Sequence, residues 1–420
     1  MVKHLLSGEM FFALFLFSGV FKESLELPID LTALFLILTT LSMLKRLYER
    51  PKINKVNILP VIVFDIFICL VLLSIFNSPN LVLTQDKVIK LLLLTTPAFV
   101  FPFILFKTKK SLIRFLLSIA SISTVLSLLS ISMIFQRGGD IGFVGFNDGN
   151  YQGLARIAGV GLVILFFLGL LNSNLKKYRL VFLVSITLVL ISLLASGSRM
   201  PIIAVGLAFI ITIASSIKIK NWEVKYPKYY NKIFGLFIIL LIPLTWAYKQ
   251  GYFNSIIFRF ETLFQSDGGG ASATGRTERF VLAYDMWKEN FMFGKGFGSF
   301  GGYYTGTTTH DYPHNLFLEL LSELGIIGLF TFIILLVVAF IRFYKLGKLK
   351  DVRNNNLFIT VIIAFLVVFM NSMVSGDINS NRIMLTFISI LCILPLVYRK
   401  EINKDRLQSD KLRTSEYSEK

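Results

Sequence analysis

LFLELLSELGIIGLFTFIILLVVAFI, residues 316–341, decides the fold. From Leu324 to Ile341, eighteen successive residues carry no charge. A helix of that length rises about 27 Å, close to the roughly 30 Å hydrocarbon core of a bilayer. Such a run cannot stay exposed to water. Further apolar runs occur at 5–21, 28–44, 58–76, 88–106, 112–135, 152–171, 180–196, 201–217, 233–248, 357–375 and 383–398. The chain is 55% hydrophobic and 16% charged, where soluble domains carry about a quarter charged residues. These features predict an all-α integral membrane protein with about 12 transmembrane helices and a large extracytoplasmic loop containing short helices.

The formal charge of +18 invites a nucleic-acid reading. Its distribution excludes one, because the Lys and Arg residues sit in short connections between apolar runs and form no single basic face. Cys69 and Cys392 both fall inside apolar runs and read as packing residues, not a disulfide framework. The first run follows a single Lys3 and has no small-residue cleavage site, so it reads as a retained helix. Pro97, Pro102, Pro243 and Pro395 mark expected kinks.

With both termini placed in the cytoplasm, the inner segments hold 30 of the 43 Lys and Arg, and every inner connection is basic. The expected organisation is an N-terminal membrane bundle of about nine helices (1–248), an extracytoplasmic loop (249–315), about three C-terminal helices (316–398) and a polar cytoplasmic tail (399–420).

Within the loop, Phe280, Ala283, Tyr284 and Trp287 recur at helical spacing, predicting a helix over Arg276 to Asn290 with Gly275 before it. Phe293-Gly294-Lys295-Gly296-Phe297-Gly298 lacks the strand and helix of a dinucleotide site and reads as tight backbone geometry. The loop closes with His310-Asp311-Tyr312-Pro313-His314-Asn315, which holds two of the chain's three histidines. Imidazole suits proton transfer near neutral pH. A shared metal is disfavoured by Pro313 and by the lack of a third ligand.

Glu319 and Glu323 then lie four apart on one helix face, where a carboxylate near lipid points into a cavity or pairs with a cation. Arg156 and Arg199 sit in or beside apolar runs on the same expected side. They read either as snorkelling residues or, with Arg276 and Arg279, as an anion-binding cavity, since guanidinium matches phosphate oxygens bidentately.

Thr274-Gly275-Arg276 leading through Trp287 to Gly294-Lys295-Gly296, then His314-Asn315, nine residues and Gly325-Ile326-Ile327-Gly328, resembles the signature of the O-antigen ligase and polymerase superfamily. Ser196-Gly197-Ser198-Arg199 resembles the family's membrane arginine. The resemblance implies transfer of a glycan from an undecaprenyl-pyrophosphate carrier to an acceptor glycan or lipid A-core, at the outer face of the bacterial cytoplasmic membrane. It implies a metal-independent inverting transferase without a cofactor, serving O-antigen, lipopolysaccharide or capsule synthesis. Polymerase is preferred to ligase because such chains serve many different polysaccharides.

In that frame His314 activates the acceptor hydroxyl, and Arg199 and Arg276 hold the pyrophosphate. Arg279 is a further candidate for the same anion, with His310, Asn315 and Glu319 in support; Arg156 joins it on its chemistry and not on the motif. Membrane lipids, a chain-length regulator and a flippase are the implied partners. The alternative is a flippase or transporter of lipid-linked oligosaccharide. The single long loop and the absence of a repeat in the sequence count against it.

Overall fold

The computed structural model describes residues 7–22, 25, 27–49, 58–136, 150–216, 218–220, 223–225, 229–262, 271–353 and 355–398. The expected tail 399–420 lies outside them. In chain order the helices are α1 (Gly8–Phe21), α2 (Leu31–Glu49), α3 (Leu59–Ser74), α4 (Leu81–Leu105), α5 (Lys109–Gln136), α6 (Tyr151–Leu170), α7 (Arg179–Ala195), α8 (Arg199–Ser216) and α9 (Tyr229–Lys249). They continue with α10 (Asn254–Glu261), α11 (Ala271–Glu289), α12 (Ser299–Thr305), α13 (Leu316–Gly347), α14 (Lys350–Arg353), α15 (Asn356–Ser372) and α16 (Arg382–Tyr398). Each apolar run read from the sequence is helical over most of its described residues. Seven helices among the described residues are long and apolar enough to cross a membrane, and five more are apolar but shorter.

One departure from an all-helical chain is a small antiparallel hairpin, Lys218–Lys220 with Glu223–Lys225, inside the expected basic connection after α8.

The bundle is apolar outside as well as inside. Ile242 is 77% exposed, Leu180 73% and Ile210 61%. In water that surface would drive aggregation; against acyl chains it costs nothing. Cys392 is buried as expected, whereas Cys69 lies on an exposed face of α3 and contributes little packing.

Helix α6 is the central post, packed by α1, α5, α7, α8 and α15. Its small residues Gly153, Ala155, Ala158, Gly159 and Gly161 let neighbouring backbones close in. Arg156, in the second turn of α6, is half-buried, its guanidinium held by the Ser375 hydroxyl instead of reaching out alone to the surface.

Helix α4 contains a π turn over Leu91–Thr95, immediately ahead of Pro97. Proline has no N–H for the ladder and its ring crowds the carbonyl four residues back, so the ladder slips one residue there.

Helix α13 is two helices in one. At Gly325 the backbone turns to φ 67°, ψ −168°. The freed amides of Ile326 and Ile327 donate to the carbonyls of Phe291 and Met292. The freed carbonyls of Ser322 and Glu323 accept from the amides of Lys295 and Gly296 at 3.0 and 2.9 Å. The glycine-rich segment thus repairs the broken ladder, with Gly294 in the left-handed region and a would-be Cβ only 2.4 Å from the Glu323 backbone.

Candidate active site

The turn Ser196-Gly197-Ser198 joins α7 to α8. The Ser196 hydroxyl accepts the Ser198 amide, and Arg199 opens α8. Next to it, Tyr252, Phe253 and Ile256 are buried against Ile131, Ile191 and Ala195, which anchors the short helix α10 to the ends of α5 and α7. That contact delivers Arg259, a residue the sequence reading did not single out. Arg199 Nη1 donates to the Arg259 carbonyl at 2.9 Å, and Arg259 Nη1 donates to the Gly197 carbonyl at 2.9 Å.

These two arginines line a cleft of about 160 Å³ together with Arg156, Arg276, Gln152, Ser198 and Ser375. Its wall includes the first turn of α8, where the positive end of the helix dipole adds to the guanidinium charges. Arg156 Nη2 donates to Ser375 Oγ at 2.7 Å, and Ser375 Oγ donates to Gln152 Oε1 at 2.8 Å. The hydrogen-bond partners described for Arg156 and Arg199 are thus a hydroxyl and a carbonyl, not carboxylates. Burial, followed by the charge of Arg259, pushes the Arg276 guanidinium below its ordinary pKa. Four cations facing one cleft repel each other and are stabilised by an anion bound between them.

Helix α11 begins at Ala271, earlier than expected, so Gly275 lies inside it and does not precede it. The expected apolar stripe is also displaced. Ala283 and Met286 are buried with Phe300, while Tyr284 is 45% exposed. The helix has turned to follow Arg279, whose Nε and Nη2 clamp both oxygens of Asp311 at 2.8–3.2 Å. Its Nη1 donates to the Gly275 carbonyl, and the guanidinium stacks 4.6 Å over the Tyr304 ring. Arg279 therefore ties the loop to α11 and does not line the cleft. The hydrogen bonds to Asp311 hold the Arg279 guanidinium above its ordinary pKa.

That clamp fixes the chain leading to His314, which takes φ 60°, the one non-glycine residue in the left-handed region among those described. A bulky residue held there is strained, and such strain gathers at functional sites. The imidazole is half-buried, 4.5 Å from the Tyr312 ring, and its Nδ1 is buried with no hydrogen-bond partner among the described residues. Burial, then Arg276 and Arg279, depress its pKa from 6.5 to about 4, with Arg156 adding to the effect and Asp311 opposing it. His314 stands within electrostatic reach of the cleft's arginines without being part of the cleft wall.

Asn315 caps α13, its Oδ1 accepting the Leu318 amide and its Nδ2 donating to the Met373 carbonyl. His310 is exposed and turned away, 2.9 Å from Asp86 on α4. Glu319 is buried 2.6 Å from Lys87. Lys87 was also missed, although two carboxylates in an apolar run call for a cation partner.

Residues 184–333 match the family model described as O-antigen ligase. The match begins in α7, holds Arg199, Arg259, Arg276 and His314, and ends just past the break in α13; Arg156 and Lys87 lie outside it. A search of curated proteins finds no match.

Proposed function

The chain carries the O-antigen ligase domain of the O-antigen ligase/polymerase superfamily over residues 184–333, and from that premise we propose that it transfers glycan units from an undecaprenyl-diphosphate carrier to an acceptor hydroxyl, as a polysaccharide polymerase or ligase. The observation that carries this reading is the four-arginine cleft beside an imidazole whose buried nitrogen has no partner. His314 takes the proton of the acceptor hydroxyl, whose oxygen attacks the anomeric carbon. The bond from that carbon to the carrier phosphate breaks. The diphosphate leaves with the bonding electrons, its growing charge met by Arg199, Arg259, Arg276 and Arg156.

A second cavity suits the carrier's tail. About 520 Å³ of open groove, lined by Leu194, Tyr248, Phe253, Ile256, Ile257, Phe260 and Glu261, runs along α10 on positions other than the Arg259 that lines the cleft. One short helix thus offers Arg259 to a phosphate and an apolar face to a lipid chain. The site belongs on the outer face of the cytoplasmic membrane, with both termini inside. The 28 residues of α5 run about 42 Å from the basic connection at 107–110 to the cleft end of the bundle.

Purified protein in liposomes with undecaprenyl-diphosphate-linked glycan is expected to form new glycosidic bonds and release carrier diphosphate. Translocation of the labelled carrier without bond formation would instead establish a flippase. Arg199→Ala and Arg276→Ala are each expected to raise the donor KM about 10- to 100-fold, the scale of a lost charge-assisted hydrogen bond.

The pH profile gives a separate check. With a pKa of about 4, His314 is neutral, and able to accept a proton, down to about pH 5 in the free protein. The acid limb of kcat/KM therefore falls near pH 4. A bound diphosphate offsets the arginine charges but not the burial, which is the larger cause, so the limb of kcat moves up from about 4 and stays below 6.5. Coincident limbs would show that the arginines do not act on the imidazole.

A further inference from the structure

Lys87 lies in α4 with a side chain only 8% exposed, 2.6 Å from Glu319 Oε1 and 2.6 Å from Glu323 Oε2. Its ammonium also sits 4.6 Å above the ring of Phe297, from the glycine-rich segment. For stability alone this is a poor device, because desolvating three charges offsets most of what their attraction returns.

What the cluster holds is the strap of residues 373–381 between α15 and α16. Glu319 Oε1 accepts the Ile378 amide at 3.3 Å. Asn379 Nδ2 donates to the Lys87 carbonyl at 3.0 Å, and its Oδ1 accepts from Thr95 in the π turn of α4 at 2.6 Å. The far side of the strap faces the cleft. Its Ser375 hydroxyl orients Arg156, and its Met373 carbonyl takes the Asn315 amide next to His314. Val374 and Ser375 are themselves part of the cleft wall.

We propose that Lys87 is a positioning residue: by joining Glu319 and Glu323 it sets the strap, and through the strap it aims Arg156 and seats the chain at His314. This rests on the transferase reading for its kinetic part only. The contacts run from α4 through the short arm of α13 to the strap without touching substrate, so loss of the cluster shows in turnover more than in donor affinity.

The test is the triple variant Lys87→Met, Glu319→Gln, Glu323→Gln, which keeps side-chain size and strands no single buried charge. Amide exchange at 374–381 is expected to rise at least about tenfold while α7 is unchanged. In the liposome assay kcat falls about tenfold with donor KM within about twofold. Combination with Arg156→Lys is expected to be non-additive, as for groups acting through one chain of contacts.

Asn379→Ala leaves every charge in place and removes only the strap's hold on α4. It is expected to raise strap exchange likewise, through the Lys87 backbone carbonyl and Thr95; should the triple variant not fold, Lys87→Met with Glu323→Gln, in which the buried Glu319 takes up a proton, decides by the same exchange at 374–381. Unchanged strap exchange, or additive kinetics, overturns the proposal. A wild-type protein that forms no glycosidic bond overturns the transferase reading instead, and the exchange measurement then still decides whether the cluster tethers the strap.

Discussion

His314→Asn is expected to lower glycan transfer by about 10²- to 10⁴-fold, the range for removing a general base, with little change in protein yield or donor KM. Asparagine is the informative replacement because it tolerates the left-handed backbone that His314 occupies at φ 60°. The fold is then undisturbed while the proton acceptor is gone. His314→Ala is expected to match it in rate, with a small additional loss of stability from an alanine at positive φ. The neutral imidazole has a buried nitrogen free to accept, and no described hydrogen bond from that nitrogen is lost on replacement. The measurement is single-turnover transfer from carrier-linked glycan in liposomes, normalised to folded protein. Transfer within about threefold of wild type would remove His314 from the chemistry and leave the arginine cleft as a binding site alone.

Much of this site was legible in the sequence because its residues break the pattern around them. An arginine at 156 or 199 in or beside an apolar run, and an imidazole at 314 just ahead of one, are expensive unless something uses them. What the sequence did not disclose are partners brought from far along the chain. Arg279 read as a phosphate ligand because its acid, Asp311, lies 32 residues on and only the folded loop joins them. Lys87 is 236 residues from Glu323 and falls just ahead of an apolar run, where the sequence alone does not set it apart. Arg259 needed the burial of Tyr252 and Phe253 to be turned inward. The stripe on α11 was displaced for a related reason. Periodicity names a face, but Phe300 on α12 and the pull of Asp311 on Arg279 chose a neighbouring one.

Gly325→Ala carries the largest expected effect on the fold. At φ 67°, ψ −168° the backbone lies in a region open almost only to glycine, and strain of this kind costs about 1–3 kcal/mol. Sterics add to it, because a Cβ would stand 2.3 Å from the Met292 carbonyl oxygen, which is backbone and cannot turn aside. Relief by straightening α13 would pull the amides of Ile326 and Ile327 from Phe291 and Met292, and the carbonyls of Ser322 and Glu323 from Lys295 and Gly296. It would also swing the arm 316–324, with Glu319 and Glu323, away from Lys87 and tilt the cap at Asn315 beside His314. Both routes damage the site, so even the folded fraction should transfer poorly. The variant is expected to melt at least several degrees lower in detergent and to lose most of its turnover per folded molecule. Gly206→Ala on α8, where a Cβ meets nothing within 4 Å, is the matched control and should behave as wild type. A Gly325→Ala protein with unchanged melting and turnover would mean that α13 runs straight through this point. The glycine-rich segment would then have no broken ladder to repair, and the arm that carries His314 toward the arginines would lose its pivot.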